Sequence, residues 1–421
     1  MHMFDSSKTL YINEDRFRKD FEILAKIGST EDGGVHRPAL SKSHLEARAW
    51  YRDLILESEL EFRCDGAGNR SAFLACGPKN APTLLLGSHL DSVPYGGRFD
   101  GPLGVLAALE TLRVVKENGI SLPVNLEAID FTDEEGSLIG LTGSYALAGK
   151  LTKEDLDNPR GGRQALLEGM KRAGLDDASF LSARRIPKSL AGYLELHIEQ
   201  GPRLLKKPTQ IGIVTTIVGI CSYHLRFIGR ANHAGTTPML DRLDASQGAS
   251  SFILQVRQTI LEKFPECVAN VGNIHLSPGA FNIVPERADI ALEFRSAEPQ
   301  TFSILEKTLI GKARAAAKQF RLGLESDLLS KHSPTPLSSQ AQNAIEQAAD
   351  ALGLNHIHLV SGAGHDAQAL ADLCPAGMIF VPSQLGISHS PKEFTHWEDC
   401  VNGANVLVGA TLRMANTIIT E

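Results

Sequence analysis

The sequence predicts an α/β chain with a smaller α+β domain inserted into it. Three observations carry that expectation. Short apolar runs with the look of buried strands alternate with helical segments over the first half of the chain. After about residue 212 the pattern changes to half-exposed strands and long helices. Beyond Pro334 the first pattern returns. At 421 residues the chain exceeds one ordinary core, so two domains are the natural division. The predicted parts are 1–214 with 333–421, and an insertion over 215–332, with hinges near 212–216 and 330–335.

Two amphipathic helices are predicted near 13–27 and 40–58. A hairpin follows, 60–64 and 70–76, around the turn Asp65-Gly66-Ala67-Gly68-Asn69. The runs 82–87, 124–131 and 192–197 read as buried strands of a sheet that is at least partly parallel. A helix over 102–118 starts after Gly101-Pro102. In the insertion, CSYHLRFI at 221–228 alternates like a half-exposed strand. A helix at 242–264, strands at 269–276 and 288–294, and a helix at 300–320 follow it. That order suits a small ferredoxin-like α+β domain with one sheet face covered. Strands at 356–361 and 378–382 complete the α/β part.

Composition narrows the function classes. Hydrophobic content of 43% and charged content of 22% are those of a soluble globular protein. A net charge of -7 argues against non-specific nucleic-acid binding, which needs a basic surface. No apolar run approaches bilayer-spanning length. The first residues lack the apolar core and small-residue cleavage site of a secretory signal. Six scattered cysteines, with no CxxC pair, read as thiols in a reducing compartment. The expectation is a cytoplasmic enzyme.

The chemistry concentrates at four strand ends. In LLLGSHLDSVPYGGRFDGPLG an apolar strand ends at Gly87, and His89 and Asp91 follow it directly. Ligands gather at the carboxyl ends of strands in open α/β sheets, and a carboxylate two residues on can fix the ring's tautomer. Asp100 stands just before the helix start. A helix cap at Asp100 and a satisfied loop histidine at His89 account for the same residues. In IDFTDEEGSLIG a second strand ends in Asp133, Glu134 and Glu135. Clustered carboxylates repel unless a cation offsets them; a solvated acidic turn is the alternative. YLELHIEQGPRL places His197, Glu199 and Gln200 at a third strand end, and SQLGISHSPKEFT places His389 in a loop after a fourth. Each histidine alone is as well explained by a structural role. Four strand ends together point to metal. Histidine and carboxylate without thiolate suit Zn, Mn, Co or Ni. Two such ions can share a carboxylate and a water, lower the water's pKa and polarise a carbonyl. A neighbouring carboxylate outside the ligand set can then move the proton.

These motifs, together with GRANHAGTTPM, FNIVPE and SGAGHDAQ, resemble in order the amidase, hydantoinase/carbamoylase family. That family shares the scaffold of the aminoacylase and carboxypeptidase-G type metallopeptidases. The resemblance runs from about Leu45 to the C-terminus. It implies a mixed-sheet, two-metal, aminopeptidase-like catalytic domain with an inserted lid and dimerisation domain. It implies that His89 and His197 bind one metal, that Glu135 and His389 bind the other, and that Asp100 bridges. Glu134 would be the general base, Asp91 would orient His89, and Gln200 would contact the ureido group. Asn282 and Arg295 would hold the substrate carboxylate, Arg295 as a two-pronged guanidinium. His233 would reach the active site of the partner subunit of a homodimer and stabilise the oxyanion. Arg295 as a strand-end charge, and Asn282 and His233 as turn residues, are the plainer readings. His365 and Asp366 get no role from the sequence.

The implied reaction is hydrolysis of the C–N bond of an N-carbamoyl (ureido) acid, giving ammonia, carbon dioxide and the amine. Allantoate-specific relatives often carry polar residues after the Ile-Val-Gly that matches Ile217-Val218-Gly219; Ile220 and Cys221 stand here instead. That tilts the expectation toward an N-carbamoyl-L-amino acid over allantoate or ureidoglycolate. Two rivals are an aminoacylase or dipeptidase on the same scaffold and a non-catalytic, metal-stabilised binding protein. The second has no use for an unliganded base at Glu134.

Overall fold

The apolar runs become strands of one large sheet in a computed structural model that describes residues 9–417. In chain order the strands are β1 (Glu61–Cys64), β2 (Arg70–Leu74), β3 (Thr83–His89), β4 (Asn125–Phe131), β5 (Leu190–Ile198), β6 (Ile211–Ile217), β7 (Gly219–Ile228), β8 (Val268–Ser277), β9 (Arg287–Ser296), β10 (Gly323–His332), β11 (Thr335–Pro336), β12 (His356–Ser361) and β13 (Ala376–Val381). The chain divides into two compact units. One holds the residues up to Thr215 and from Pro336 on; the other is Thr216–Thr335.

The first unit is built on the order β1-β2-β4-β3-β5-β13-β6-β11, with β12 paired to β6. β4, β3, β5 and β13 are parallel neighbours. β1–β2, β2–β4 and β13–β6 are antiparallel, so the sheet is mixed. β4, β5 and β13 are buried at every position. That burial is why they read as unbroken apolar runs, as strands covered on both faces do. The helices Pro102–Glu117, Ser339–Ala351 and Trp397–Thr417 pack on these strands and on one another. Pro102 sits in the first turn of its helix, where a missing N–H costs nothing. No helix among the described residues is long and apolar enough to cross a membrane.

The second unit is a four-stranded antiparallel sheet in the order β10-β7-β9-β8. With the helices Ala245–Lys263 and Pro299–Gln319 the chain order is βαββαβ. Cys221, Leu225 and Phe227 of β7 and Ile290, Leu292 and Phe294 of β9 face the helices and form its core.

Several elements differ from expectation. The stretch read as a hinge is the strand β6, whose apolar residues pair with β13, and the division between the units falls within it, after Thr215. β10 was missed because it is exposed along nearly its whole length and so shows no alternation. The helical stretch expected between β4 and β5 is a set of separate helices, Thr142–Ala148, Lys153–Asp157, Arg163–Ala173 and Asp177–Ser182, and all but Arg163–Ala173 are too short for a 3.6-residue period to stand out.

Candidate metal centre

The parallel strands β4, β3, β5 and β13 end on one edge of the sheet, and the loops that leave them carry the polar residues. His89 is the last residue of β3, and His197 is the next to last of β5. Glu134 and Glu135 follow β4, Asp100 precedes the helix Pro102–Glu117, and His389 follows β13. Gly101, at φ 83°, lets Asp100 turn over the imidazole: a Cβ there would lie 2.5 Å from His89.

Asp100 stands at the centre with its two oxygens turned to different partners. Oδ1 lies 3.5 Å from His89 Nε2 and 3.1 Å from His197 Nε2. Oδ2 lies 3.6 Å from His389 Nε2, which is 3.5 Å from Glu135 Oε2. The result is two groups that share one carboxylate: His89, Asp100 and His197, and Asp100, Glu135 and His389. Within each group the donor atoms lie within 4.8 Å of one another.

The imidazoles fit a cation. His89 Nδ1 lies 3.0 Å from the Asp91 carbonyl oxygen, and His197 Nδ1 lies 2.9 Å from that of Ile198. A carbonyl only accepts, so Nδ1 carries a proton in each ring and Nε2 is turned to Asp100. Both Nε2 atoms are buried and make no hydrogen bond, a cost that a bound ion removes. The surrounding charges favour positive charge here. Burial opposes a cationic His89, but Glu134, Asp100 and Asp91 raise its pKa well above the usual value. Burial opposes it at His197 as well, and Asp100 raises that ring. His197 and His89 in turn hold the Asp100 carboxyl well below the carboxylate range despite its burial. Burial, then Asp100, pushes Glu135 well up, and burial, then Glu135, does the same to Glu134. Packed carboxylates of this kind call for a cation.

Glu134 belongs to neither group. Its Oε2 is 3.6 Å from His89 Nε2, beside the cluster. Asp91 acts on His89 through its backbone carbonyl; its carboxylate Oδ1 is 3.7 Å from Nδ1. The Asp91 carboxylate instead accepts the Glu134 and Glu135 N–H groups, both at 3.2 Å. It therefore fixes the turn that carries both glutamates. Asp133 leaves the acidic triplet altogether. At φ 58° it turns into the next loop, where its carboxylate accepts the N–H groups of Leu138, Ile139 and Gly140.

Gln200 Nε2 donates to Asp100 Oδ2 at 2.6 Å, while its Oε1 is buried with no partner. His365 stacks edge-on to His197, with centroids 4.6 Å apart, and its Nε2 lies 2.9 Å from Ser361 Oγ. Asp366 is fully buried, and burial followed by Glu195 pushes its carboxyl well up.

In the second unit, His233 and Asn282 lie on adjoining exposed loops, joined by the Ala234 N–H to Asn282 carbonyl bond at 2.9 Å. His233 Nδ1 accepts from Gly235 and Thr236, so its outward Nε2 is the donor. Arg295 grips Glu293 with Nε and Nη2 at 2.9 and 2.7 Å. Ile220 pairs with Arg295 in register. Cys221 is buried in that unit's core, so of the two positions weighed for specificity only Ile220 is on the sheet face with Arg295.

Sequence reasoning missed Glu393 and Ser388. Glu393 Oε1 accepts the N–H groups of Phe99 and Asp100 at 2.9 and 3.1 Å. Ser388 Oγ lies 2.9 Å from Glu393 Oε2 and 3.0 Å from Asp100 Oδ2. The only hint was their place in SHSPKEF around His389.

Residues 85–413 match peptidase family M20/M25/M40. The chain is 37% identical to the N-carbamoyl-L-amino acid amidohydrolase of Geobacillus stearothermophilus, over 93% of this chain and 96% of that protein. It is 32% identical to the allantoate amidohydrolase of Bacillus subtilis, over 94% and 96%. A crystal structure of an amidase of the hydantoinase/carbamoylase family from Burkholderia multivorans superposes with a TM-score of 0.86 at 32% identity, covering 96% of this chain and 98% of that one. The family is metal-dependent, and the two groups around Asp100 are candidate metal-binding groups. The chain belongs to peptidase family M20/M25/M40, with the hydantoinase/carbamoylase amidases, and is a hydrolase of C–N amide bonds.

Proposed function

We propose that the chain hydrolyses an N-carbamoyl-L-amino acid, releasing ammonia, carbon dioxide and the free amino acid. The observation that carries the reading is Asp100, whose two oxygens face two separate donor groups. His89, His197 and Asp100 would hold one divalent ion, and Asp100, Glu135 and His389 a second; zinc, or manganese, cobalt or nickel, suits these donors. Ions bound there would acidify a water and polarise the carbamoyl carbonyl. Glu134 takes the proton of the attacking water and returns it to the leaving nitrogen. Asp91 holds the Glu134–Glu135 turn in place. Gln200, with an unpartnered Oε1, accepts from a ureido N–H.

The residues 1–214 and 333–421 serve as the catalytic domain in this reading, and 215–332 as a lid and dimerisation domain. Arg295 and Asn282 take the substrate carboxylate, with Arg295 exchanging Glu293 for it. His233 donates from Nε2 to the oxyanion in the partner subunit of a homodimer. A dimer suits β8, a ten-residue strand with one strand neighbour among the described residues and with Val268 and Ile274 exposed. The cytoplasm is the compartment proposed.

The relatives' names include N-carbamoyl-L-amino acid, allantoate and ureidoglycolate substrates. Apolar Ile220 beside Arg295 favours the first. The test is ammonia release from several N-carbamoyl-L-amino acids, N-carbamoyl-β-alanine, allantoate and ureidoglycolate after loading with each metal. The expected result is highest kcat/KM on an N-carbamoyl-L-amino acid. Faster release from allantoate or ureidoglycolate overturns the assignment, and cleavage of N-acetyl or dipeptide substrates alone favours an aminoacylase.

A further inference from the structure

We infer that Glu393 is a positioning residue that locks the loop of Asp100 to the loop of His389 and so sets the separation of the two metal groups. The inference rests on the two-metal reading above. It starts from three contacts made by one carboxylate. Oε1 takes the backbone N–H groups of Phe99 and Asp100, at 2.9 and 3.1 Å. Oε2 takes Ser388 Oγ at 2.9 Å, and Ser388 is the residue before His389. Glu393 also folds back on its own loop, its N–H reaching the Ser390 carbonyl at 2.9 Å. The two loops are 293 positions apart in sequence, and this side chain is buried between them, 4% exposed.

The fit leaves no slack. A Cβ added at Gly97 would lie 2.0 Å from Glu393 Oε1, 2.1 Å from Cδ and 2.5 Å from Cβ. Only a glycine there admits the carboxylate. Ser388 sits where the two carboxylates meet. Its single proton serves either Glu393 Oε2 or Asp100 Oδ2, at 2.9 and 3.0 Å. When Asp100 Oδ2 is turned toward a cation it no longer needs that proton, and the hydroxyl is left to Glu393. The clamp therefore acts on the side of Asp100 that faces His389 and Glu135. Its loss weakens that group more than the group of His89 and His197, whose rings are held by their own carbonyl bonds.

The experiment counts metal. Full-length wild-type, Glu393→Ala, Glu393→Gln, Gly97→Ala and the Gly97→Ala/Glu393→Ala double variant are loaded with cobalt(II), passed through metal-free buffer and assayed for bound metal. The visible cobalt spectrum reports ligand geometry, and thermal unfolding is recorded alongside. Glu393→Ala is expected to weaken one cobalt by about 10- to 100-fold, the scale for groups that orient ligands, to hold the other as wild type does, and to change the spectrum. Glu393→Gln keeps an acceptor oxygen and is expected to recover most of the affinity. Gly97→Ala is expected to copy Glu393→Ala, and the double variant to be no worse than either, because both remove one clamp. If Glu393→Ala does not fold, Gly97→Ala carries the decision. Two cobalt ions held as tightly as in wild type, with an unchanged spectrum, overturn the clamp. A wild-type chain that itself retains fewer than two overturns the two-metal reading beneath it.

Discussion

Replacing Arg48 with methionine removes a buried cation from beneath the sheet edge that carries the candidate metal centre. Arg48 donates to Asp130 Oδ2 at 2.7 Å and to the carbonyls of Gly68 and Phe131 at 3.0 Å each. The remaining oxygen of Asp130 accepts the Leu90 N–H at 2.9 Å. The pair thus ties the ends of β3 and β4, next to His89 and to the turn of Glu134, to the helix Lys42–Glu57. Both side chains are at most 1% exposed. Breaking such a pair from one side costs about 3–5 kcal/mol, because the other charge stays buried. An independent route gives the same size. Without Arg48 the Asp130 carboxyl must take up a proton, and its ordinary value is 3.8. Protonating it at pH 7 costs up to about 4 kcal/mol at 1.36 kcal/mol per pH unit. The sign follows from linkage. Burial already raises Asp130, and losing Arg48 raises it further. The variant's folded state then binds a proton the unfolded state gives up, so its deficit shrinks as pH falls. Between pH 7 and 5 the deficit should fall by up to about 2.7 kcal/mol.

The assay is urea unfolding of the metal-stripped chain, followed by tryptophan fluorescence. The chain's two tryptophans, Trp50 and Trp397, both lie in the unit that holds the site, so the signal reports that unit. Adding Asp130→Asn should restore part of the loss, since asparagine keeps an acceptor for Leu90. A loss under about 1 kcal/mol at pH 7, against the 3–5 kcal/mol of a broken buried pair, or an equal loss at pH 5, would refute the reasoning.

Two other outcomes follow from the same physics. Arg185 grips buried Glu127 with two bonds of 2.7 and 2.6 Å, and although burial opposes it, Arg185 holds the Glu127 carboxyl below its usual 4.5. A depressed carboxyl stabilises above the unfolded value and loses that contribution as pH falls through the folded one. Arg185→Met should therefore cost about 1.5–3 kcal/mol at pH 7, a deficit that shrinks as pH falls because burial without Arg185 raises the Glu127 carboxyl, as urea titrations across pH will read. If His233 acts in trans, verified heterodimers of His233→Ala and Glu134→Gln chains should regain part of the activity that each parent lacks. No rescue would count against the shared site.

The parts of the fold that were legible in the sequence are those where burial writes a pattern. β3, β4, β5 and β13, buried at nearly every position, read as apolar runs, and their ends located His89, the two glutamates, His197 and His389. β10 was not legible, because an exposed strand carries no such pattern. The donor residues could be listed from the strand ends, but their division into two groups came only from the family resemblance. That Asp133 turns away from Glu134 and Glu135 depends on three N–H groups in the following loop. That Glu393 matters depends on Phe99 and Asp100, which meet it only in the folded chain. Asp91 shows the same limit: its spacing from His89 suggested a carboxylate on the ring, whereas its carbonyl takes that place.

The central claim is that Glu134 moves the proton beside two metals it does not bind. One measurement tests it most directly: ammonia release from an N-carbamoyl-L-amino acid by Glu134→Gln chains whose metal content has been counted. The account expects two metals retained per chain and a rate lower by at least about 10²-fold. Two metals retained with near-full activity would contradict it.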